Sequence, residues 1–145
     1  MSWKRPESVL VVVHAAGGEV LLLRRREPDD FWQSVTGSLD WGETAEQAAA
    51  RELAEETGFS ADGLVATGLR YRFPIVPPWR ARYAPGVETN TETVFSLRLD
   101  RPEPPRLNPA EHGAFRWLPR AEALRRVSSW SNREAIERLV PDPAR

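Results

Sequence analysis

Residues 37–59 read GSLDWGETAEQAAARELAEETGF, which combines a glycine, an isolated glutamate and an acidic run that ends in a second glycine. The middle of this stretch predicts a helix over 44–57. Thr44 and Gln47 have the spacing of a capping box, in which each side chain covers an unpaired backbone N–H of the first turn. Gly58 stands where a helix commonly ends in a left-handed residue.

Three glutamates of this helix point in nearly the same direction. At about 100° per residue, Glu52, Glu55 and Glu56 fall within an arc of roughly 100° that continues the alanine and leucine face of the helix. Glu52 and Glu56 stand one turn apart, where like charges repel by roughly 0.2–0.5 kcal/mol. A divalent cation would turn this repulsion into a binding site, because hard metal ions prefer carboxylate oxygens. The alternative, an acidic face in solvent, fits the arrangement poorly.

The whole stretch resembles the Nudix box, in which a glycine and a glutamate precede the run Arg-Glu-apolar-x-Glu-Glu-x-Gly-apolar. Every position of that pattern is matched, by Gly37, Glu43, Arg51, Glu52, Leu53, Glu55, Glu56, Gly58 and Phe59. The resemblance implies an α/β (α+β) fold, an αβα sandwich with a mixed sheet and a loop–helix–loop catalytic motif. It also implies cleavage of a diphosphate linked to another group, with Mg²⁺, or Mn²⁺ in its place, as the cofactor.

The same resemblance assigns roles to the residues of the box. Glu43 and Arg51 would pair and brace the loop, and Gly37 would let the backbone bend. The predicted metal ligands within the helix are Glu52, Glu55 and Glu56.

A base must also take the proton from the attacking water. Glu55 and Glu56 are candidates, and Glu111 is the best candidate from elsewhere, because it follows a proline-rich connection and precedes a strand. Glu111 is also predicted to join the metal ligands. Its structural alternative is a solvated loop acid.

Composition and length agree with a small enzyme formed by one domain, residues 1–145. The net charge of −1 does not favour a nucleic-acid partner, and the chain has no cysteine for a disulfide or a thiolate metal site. The longest apolar run, Val9 to Val13, is too short to span a bilayer, and the N-terminus lacks signal-peptide features. We therefore expect a cytoplasmic protein with a small-molecule substrate and no membrane partner. The oligomeric state stays open.

The rest of the chain predicts strands around the box helix, with a stiff proline-rich loop over 74–90. The segment after Pro119 predicts a helix over 120–127, and Ser131 with Glu134 predicts a capping box for a last helix that ends before Pro141. His14 is expected in a buried strand and His112 at the surface. The predicted strands are 8–14, 19–24, 31–36, 64–73, 91–99 and 115–118.

Segments outside the box point to one branch of the family. Residues 4–6, 29–38, 70–86 and 128–133 together resemble the dihydroneopterin triphosphate pyrophosphatases of bacterial folate synthesis, and the likeness extends over nearly the whole chain. YAPGV followed by TNTE, and SWSNRE near the end, are its most distinctive pieces. The resemblance implies hydrolysis of dihydroneopterin triphosphate to dihydroneopterin monophosphate and pyrophosphate.

This branch resemblance also implies substrate contacts. Basic side chains would bind the triphosphate, two hydroxyls would add hydrogen bonds, and an aromatic ring would stack on or hydrogen-bond the flat heterocycle. Each has an ordinary alternative as a solvated charge, a turn hydroxyl or a packed ring. The residues are Lys4, Arg25, Arg80, Arg82, Thr36, Ser129 and Tyr83.

Two other functions stay open from the sequence. The nearer is the same enzyme class acting on an ordinary or oxidised nucleoside triphosphate, or on a nucleoside diphosphate sugar. The other is a binding module without catalysis, which would be expected to lack an acid of the box, and none is missing here.

Overall fold

The computed structural model describes residues 3–77 and 79–143. Within them, seven strands, three α-helices and a short 3₁₀ helix follow one another along the chain. Their bounds are β1 Glu7–Ala15, β2 Glu19–Arg25, β3 Trp32–Gln33, β4 Val35–Ser38, α1 Ala45–Thr57, β5 Val65–Pro74, the 3₁₀ helix Trp79–Arg82, β6 Thr89–Leu99, β7 His112–Pro119, α2 Arg120–Arg126 and α3 Trp130–Leu139.

The strands form one mixed sheet, as the sequence predicted. Its main path runs β3-β2-β1-β6-β5, with β4 also paired to β1 and β7 also paired to β2. β1 and β6 are parallel from the pair Glu7–Thr91 to the pair Ala15–Leu99, whereas the other pairs are antiparallel. A parallel pair requires a long crossover connection, and here α1 and β5 lie within it.

Alternate residues of β1 supply two separate cores, one on each face of the sheet. Val9, Val11 and Val13 pack with Leu53 of α1. The cluster on the other face contains Leu10 and Val12 of β1, together with side chains of α2 and α3. Because strand side chains alternate between faces, one strand serves both helical layers, and the predicted αβα sandwich is confirmed.

The predicted limits of α1 are confirmed. Thr44 Oγ1 accepts from the backbone N–H of Gln47 at 3.1 Å, and Gln47 Oε1 accepts from that of Thr44 at 2.9 Å. Gly58 ends the helix with φ 75°, a left-handed conformation that glycine adopts without steric cost. These caps fix where the acidic last turn of the helix lies.

The capping box expected for α3 at Ser131 and Glu134 is wrong. Ser129 is the N-cap and accepts from the N–H of Asn132 at 3.2 Å, so the helix begins two residues earlier. The reason is Asn132, whose side chain accepts from Ser34 N at 2.8 Å and donates to Ser34 Oγ at 2.9 Å. Glu134 instead pairs with Arg138 one turn along α3.

The single strand expected over 31–36 is divided in two at Ser34. β3 pairs with β2 on one side of this residue, and β4 pairs with β1 on the other. The two hydrogen bonds between Ser34 and Asn132 hold Ser34 between the two pairings. The sheet therefore opens here, beside the start of α3. No helix of the described residues is long and apolar enough to cross a bilayer.

Candidate active site

A cleft of about 1490 Å³ opens where the sheet divides. The box loop, the loop between β5 and β6, the segment before β7 and the first turn of α3 all line it. Charged, hydroxyl and aromatic side chains from these separate segments meet there. Among the predicted site residues, those that line the cleft are Lys4, Arg25, Thr36, Gly37, Arg51, Glu52, Arg82, Tyr83, Glu111 and Ser129.

Gly37 lies against Glu52 of α1. A Cβ atom placed on Gly37 would stand only 2.6 Å from Glu52 Oε2, closer than real side chains approach. The missing side chain therefore leaves room for the Glu52 carboxylate beside the backbone of β4. Glu52 is buried, and its Oε1 accepts from Arg51 Nη1 at 2.7 Å.

Arg51 ties the box loop to α1. Its Nε and Nη2 both donate to the carboxylate of Glu43 at 2.8 Å, and Nη2 also donates to the carbonyl of Ser38 at 3.0 Å. The hydrogen bond from Arg51 lowers the pKa of Glu43 to about 2, and Glu43 raises the pKa of Arg51 above its usual range. The predicted pair is thus formed in the geometry that would brace the loop.

Glu56 lies beneath the cleft, buried together with His112. Both of its carboxylate oxygens are enclosed without a hydrogen-bond partner, and Oε1 lies 3.7 Å from His112 Nε2. Glu111 supplies a third group, because ligand atoms of Glu56, Glu111 and His112 all lie within 4.8 Å of one another. This cluster joins the last turn of α1 to the start of β7.

Charge is not balanced within this cluster. Burial, then Glu52 and Glu111, raise the pKa of Glu56 far above its usual range. Burial, then Arg25, lowers the pKa of His112 to about 4, so its imidazole is neutral at neutral pH and cannot compensate the glutamates. Burial, then Glu52 and Glu55, raise the pKa of Glu111. Arg51 pairs with Glu52, whereas the acidic neighbours of Glu56 and Glu111 still raise the pKa of both carboxyl groups.

A divalent cation fits this arrangement. The unpartnered oxygens of Glu56 are acceptors, the nearby Glu52 and Glu111 add carboxylates, and a neutral imidazole is a metal ligand as well. A cation would favour the ionised form of each carboxylate and so remove the mutual repulsion. The acidic cluster is thus a possible metal-binding group.

Glu55 differs from the other two helical glutamates in position. It is exposed, does not line the cleft, and lies 3.4 Å from Arg51 Nη1. The structure thus brings Glu52, Glu56 and Glu111 together, with Glu55 at the edge.

The predicted phosphate contacts converge at the other side of the cleft. The backbone N–H of Lys4 donates to the carbonyl of Arg82 at 2.8 Å, and Lys4 Nζ lies 5.7 Å from the ring centre of Tyr83. Burial, then the charges of Arg82 and Arg25, lower the pKa of Lys4. Lys4, Arg82 and Arg25 thus form a positive region of the cleft, near enough to Glu52 for its charge to oppose the lowering of the Lys4 pKa.

The remaining predicted contacts have structural bonds of their own. Thr36 Oγ1 donates to the carbonyl of Val9 at 2.9 Å, and Ser129 caps α3, although both line the cleft. Arg80 does not line the cleft, because its Nε donates to the carbonyl of Ile75 at 2.8 Å within the same loop. Its role in binding substrate stays a prediction.

The segment formed by residues 3–5 joins the two sides of the cleft mouth. Trp41 Nε1 donates to the carbonyl of Trp3 at 2.7 Å, and Arg5 Nη1 donates to the carbonyls of Asp40 and Glu43 at 3.1 and 2.8 Å. These bonds attach the segment to the box loop. The bond from Lys4 attaches it to the loop between β5 and β6.

Two features of the cleft were missed from the sequence. His112 was expected at the surface but is only 3% exposed, because β7 begins at this residue rather than at 115. Asn90 and Glu92 also line the cleft as buried side chains of β6. The alternating pattern of that strand was the available signal for Glu92, which it placed on one face with Val94. Asn90 lay just outside the predicted strand, 91–99, because β6 begins earlier, at Thr89.

Comparison with known proteins places the chain in a family. The profile of the NUDIX domain matches residues 4–139. The chain belongs to the Nudix family. Proteins of this family use divalent metal ions, in agreement with the acidic cluster around Glu56.

Nudix relatives of similar length are close in sequence and structure. The chain is 45% identical to the dihydroneopterin triphosphate diphosphatase of Escherichia coli K12, over 98% of this chain and 97% of the relative. It is 34% identical to the Haemophilus influenzae protein of the same name, over 97% and 90% of the two chains. The solved E. coli dihydroneopterin triphosphate pyrophosphohydrolase superposes with a TM-score of 0.87 at 44% identity, covering 97% of this chain and 98% of that structure.

Proposed function

We propose that this Nudix hydrolase converts dihydroneopterin triphosphate and water into dihydroneopterin monophosphate and pyrophosphate. The observation that carries the proposal is the nearly full-length relationship to an E. coli enzyme named for that substrate. The cleft supports it, because acidic and basic side chains line the same cavity. The whole chain, 1–145, would act as one domain. It would act in the cytoplasm, because a protein without cysteines forms no disulfides and does not require an oxidising compartment.

Mg²⁺, replaceable by Mn²⁺, is the ion we assign to the acidic cluster. When bound, such an ion neutralises charge on the phosphate oxygens and lowers the pKa of a coordinated water. Glu56, Glu111 and Glu52 would hold it, with Glu55 at the edge of the group and His112 beside it. Gly37, Glu43 and Arg51 would keep these side chains in position rather than touch the ion.

Glu111 is the carboxylate we assign as the base that receives the proton of the attacking water. It lines the cleft, whereas Glu56 lies beneath it and Glu55 outside it. Burial, then Glu52 and Glu55, raise the pKa of Glu111, which increases its tendency to take up a proton. Glu55 and Glu56 are the alternatives for this role.

The triphosphate would bind to the positive region of the cleft. Lys4, Arg25 and Arg82 lie near enough to one another for the charges of Arg82 and Arg25 to lower the pKa of Lys4, so a phosphate chain would relieve their repulsion. Thr36 and Ser129 would add hydroxyl contacts, and Tyr83 would stack on or hydrogen-bond the heterocycle. Arg80, bonded to Ile75, would support the loop that carries Arg82 and Tyr83.

Purified protein incubated with dihydroneopterin triphosphate and Mg²⁺ tests the proposal. We expect pyrophosphate as the inorganic product and a kcat/KM well above those for GTP, ATP and a nucleoside diphosphate sugar measured side by side. Release of single phosphate only, or turnover no better than that of nucleoside triphosphates, would reject the substrate.

A further inference from the structure

Two polar side chains of β6 lie buried in the cleft without a role in the proposed reaction. Asn90 and Glu92 are only 5% and 6% exposed, yet both line the cleft. Both belong to the sheet face that α3 covers, because Val94, two residues on, packs in the cluster with α2 and α3. Glu56, by contrast, projects from α1 on the opposite face. Asn90 and Glu92 are therefore separate from the acidic cluster.

Each of these side chains leaves an acceptor unused. Asn90 Nδ2 donates to Ser8 Oγ at 2.8 Å, which leaves Asn90 Oδ1 without a partner. Glu92 Oε1 is also without a partner. Burial raises the pKa of Glu92 to about 7, opposed by a hydrogen bond from Ser131, and no basic side chain contributes to the shift. Because a buried unpaired acceptor is costly, this pair is suited to a ligand that brings donors.

The surroundings of the pair suit a flat ring. Phe73 stands directly across from Asn90 in the neighbouring strand and lines the cleft. Trp130, at the start of α3, also lines the cleft and is half exposed, with its ring held edge-on by Tyr71 at 5.6 Å between centroids. The recess thus offers aromatic surface together with two hydrogen-bond acceptors.

We propose that Glu92, assisted by Asn90, is the specificity residue that accepts hydrogen bonds from the ring amide N–H and the exocyclic amine of a 2-amino-4-oxopyrimidine ring. This inference rests on the proposed function, since the pterin of dihydroneopterin triphosphate carries that edge. The two adjacent N–H donors match the two unused acceptors, Glu92 Oε1 and Asn90 Oδ1. Guanine presents the same two donors, whereas adenine presents one donor beside an acceptor nitrogen that a carboxylate would repel.

The test compares Glu92→Gln with the wild type on dihydroneopterin triphosphate, GTP and ATP. We expect kcat/KM for the first two to fall by about 10- to 100-fold, mainly through KM, because a hydrogen bond to a charged group is lost. Turnover of ATP should change less than about threefold. Glu88→Gln, the same change at an exposed residue of the preceding loop, is the matched control and should resemble the wild type.

A binding measurement separates this inference from the proposed reaction. Titration of free neopterin and guanosine, followed by fluorescence without metal, should show binding to the wild type that weakens at least tenfold in Glu92→Gln. If the wild type fails to hydrolyse dihydroneopterin triphosphate, the proposed function is wrong. The effects of Glu92→Gln on kcat/KM for GTP and for ATP, together with the titration, still test the role of Glu92. An equal loss on all substrates, or no loss on any, would overturn the role of Glu92. If Glu92→Gln does not fold by circular dichroism, Glu92→Asp is measured in the same way.

Discussion

The carboxylate of Glu52 occupies the space that a side chain at Gly37 would need. A Cβ atom on Gly37 would lie 2.6 Å from Glu52 Oε2, and the same carboxylate accepts from Arg51 at 2.7 Å. The glycine of the box is thus required for the position of an acid fifteen residues later, in addition to any bend of the backbone.

Gly37→Ala should therefore impair catalysis more than stability. The clash falls on the far end of a flexible side chain, so Glu52 can move away at small cost, but a displacement of about 1 Å near the reacting groups can cost about 100-fold in rate. We expect kcat to fall about 10- to 100-fold while the melting temperature changes by a few degrees. Gly17→Ala is the control. Its added Cβ would stand 2.6 Å from Glu19 Oε1, a similar crowding outside the cleft, so this variant should keep a normal kcat. Unchanged kcat in Gly37→Ala would contradict this explanation.

Arg51→Lys should loosen the box loop. A lysine keeps the charge but cannot donate two parallel hydrogen bonds to Glu43 while also reaching Ser38. We expect a loss of about 1–2 kcal/mol in the free energy of unfolding and a fall in kcat, measured by urea titration and by initial rates. Arg138→Lys, in an exposed ion pair with Glu134, should cost at most about 0.5 kcal/mol. Equal stabilities of the two variants would argue against the bracing role.

Glu56→Gln should abolish the response to metal. Removing one pre-placed charged group at a reacting centre commonly costs about 10²–10³ in rate. A bound ion stabilises the folded state, by about 2.7 kcal/mol at a hundred times its Kd. The wild type should therefore melt at a higher temperature with Mg²⁺, and the variant should not. Glu46→Gln, an exposed change in the first turn of α1, should retain the shift. A full Mg²⁺-dependent shift in Glu56→Gln would remove Glu56 from the metal site.

The free protein should lose stability through Glu92 as the pH rises. Burial raises the pKa of this acid from 4.5 to about 7, so between these values the folded state holds a proton that the unfolded state has released. The resulting loss in the free energy of unfolding is absent below pH 4.5 and complete above pH 7, with an upper limit of roughly 3 kcal/mol. The free energy of unfolding of Glu92→Gln minus that of the wild type should therefore increase from pH 5 to pH 8. Parallel curves for the two proteins would show that Glu92 has an ordinary pKa.

Patterns that depend on neighbours in the chain predicted most of the fold. The caps at Thr44 and Gly58 and the alternating strand β6 rely on helix or strand geometry alone, and each is found in the structure. Of the carboxylate arc predicted for α1, Glu52 and Glu56 are buried together, whereas Glu55 is exposed. The pairing of Glu43 with Arg51 was available as well, because the family resemblance supplied it.

Contacts between distant segments could not be predicted in this way. The start of α3 depends on Ser34, nearly a hundred residues earlier, whose N–H and hydroxyl both bond Asn132. The burial of His112 depends on the pairing of β7 with β2 and on Glu56 of α1. Three serines in the run 128–131 offered similar local caps, so only the tertiary contact could select Ser129.

Residues 3–5 connect the two sides of the cleft mouth through the main-chain atoms of Trp3 and Lys4 and the side chain of Arg5. Trp3 and Arg5 bond the box loop, and Lys4 bonds Arg82 in the opposite loop, so widening the opening requires these bonds to break together. Amide hydrogen exchange at Lys4 should consequently slow when a ligand contacts both sides of the cleft. The exchange rate of this one amide would therefore report whether the cleft is occupied.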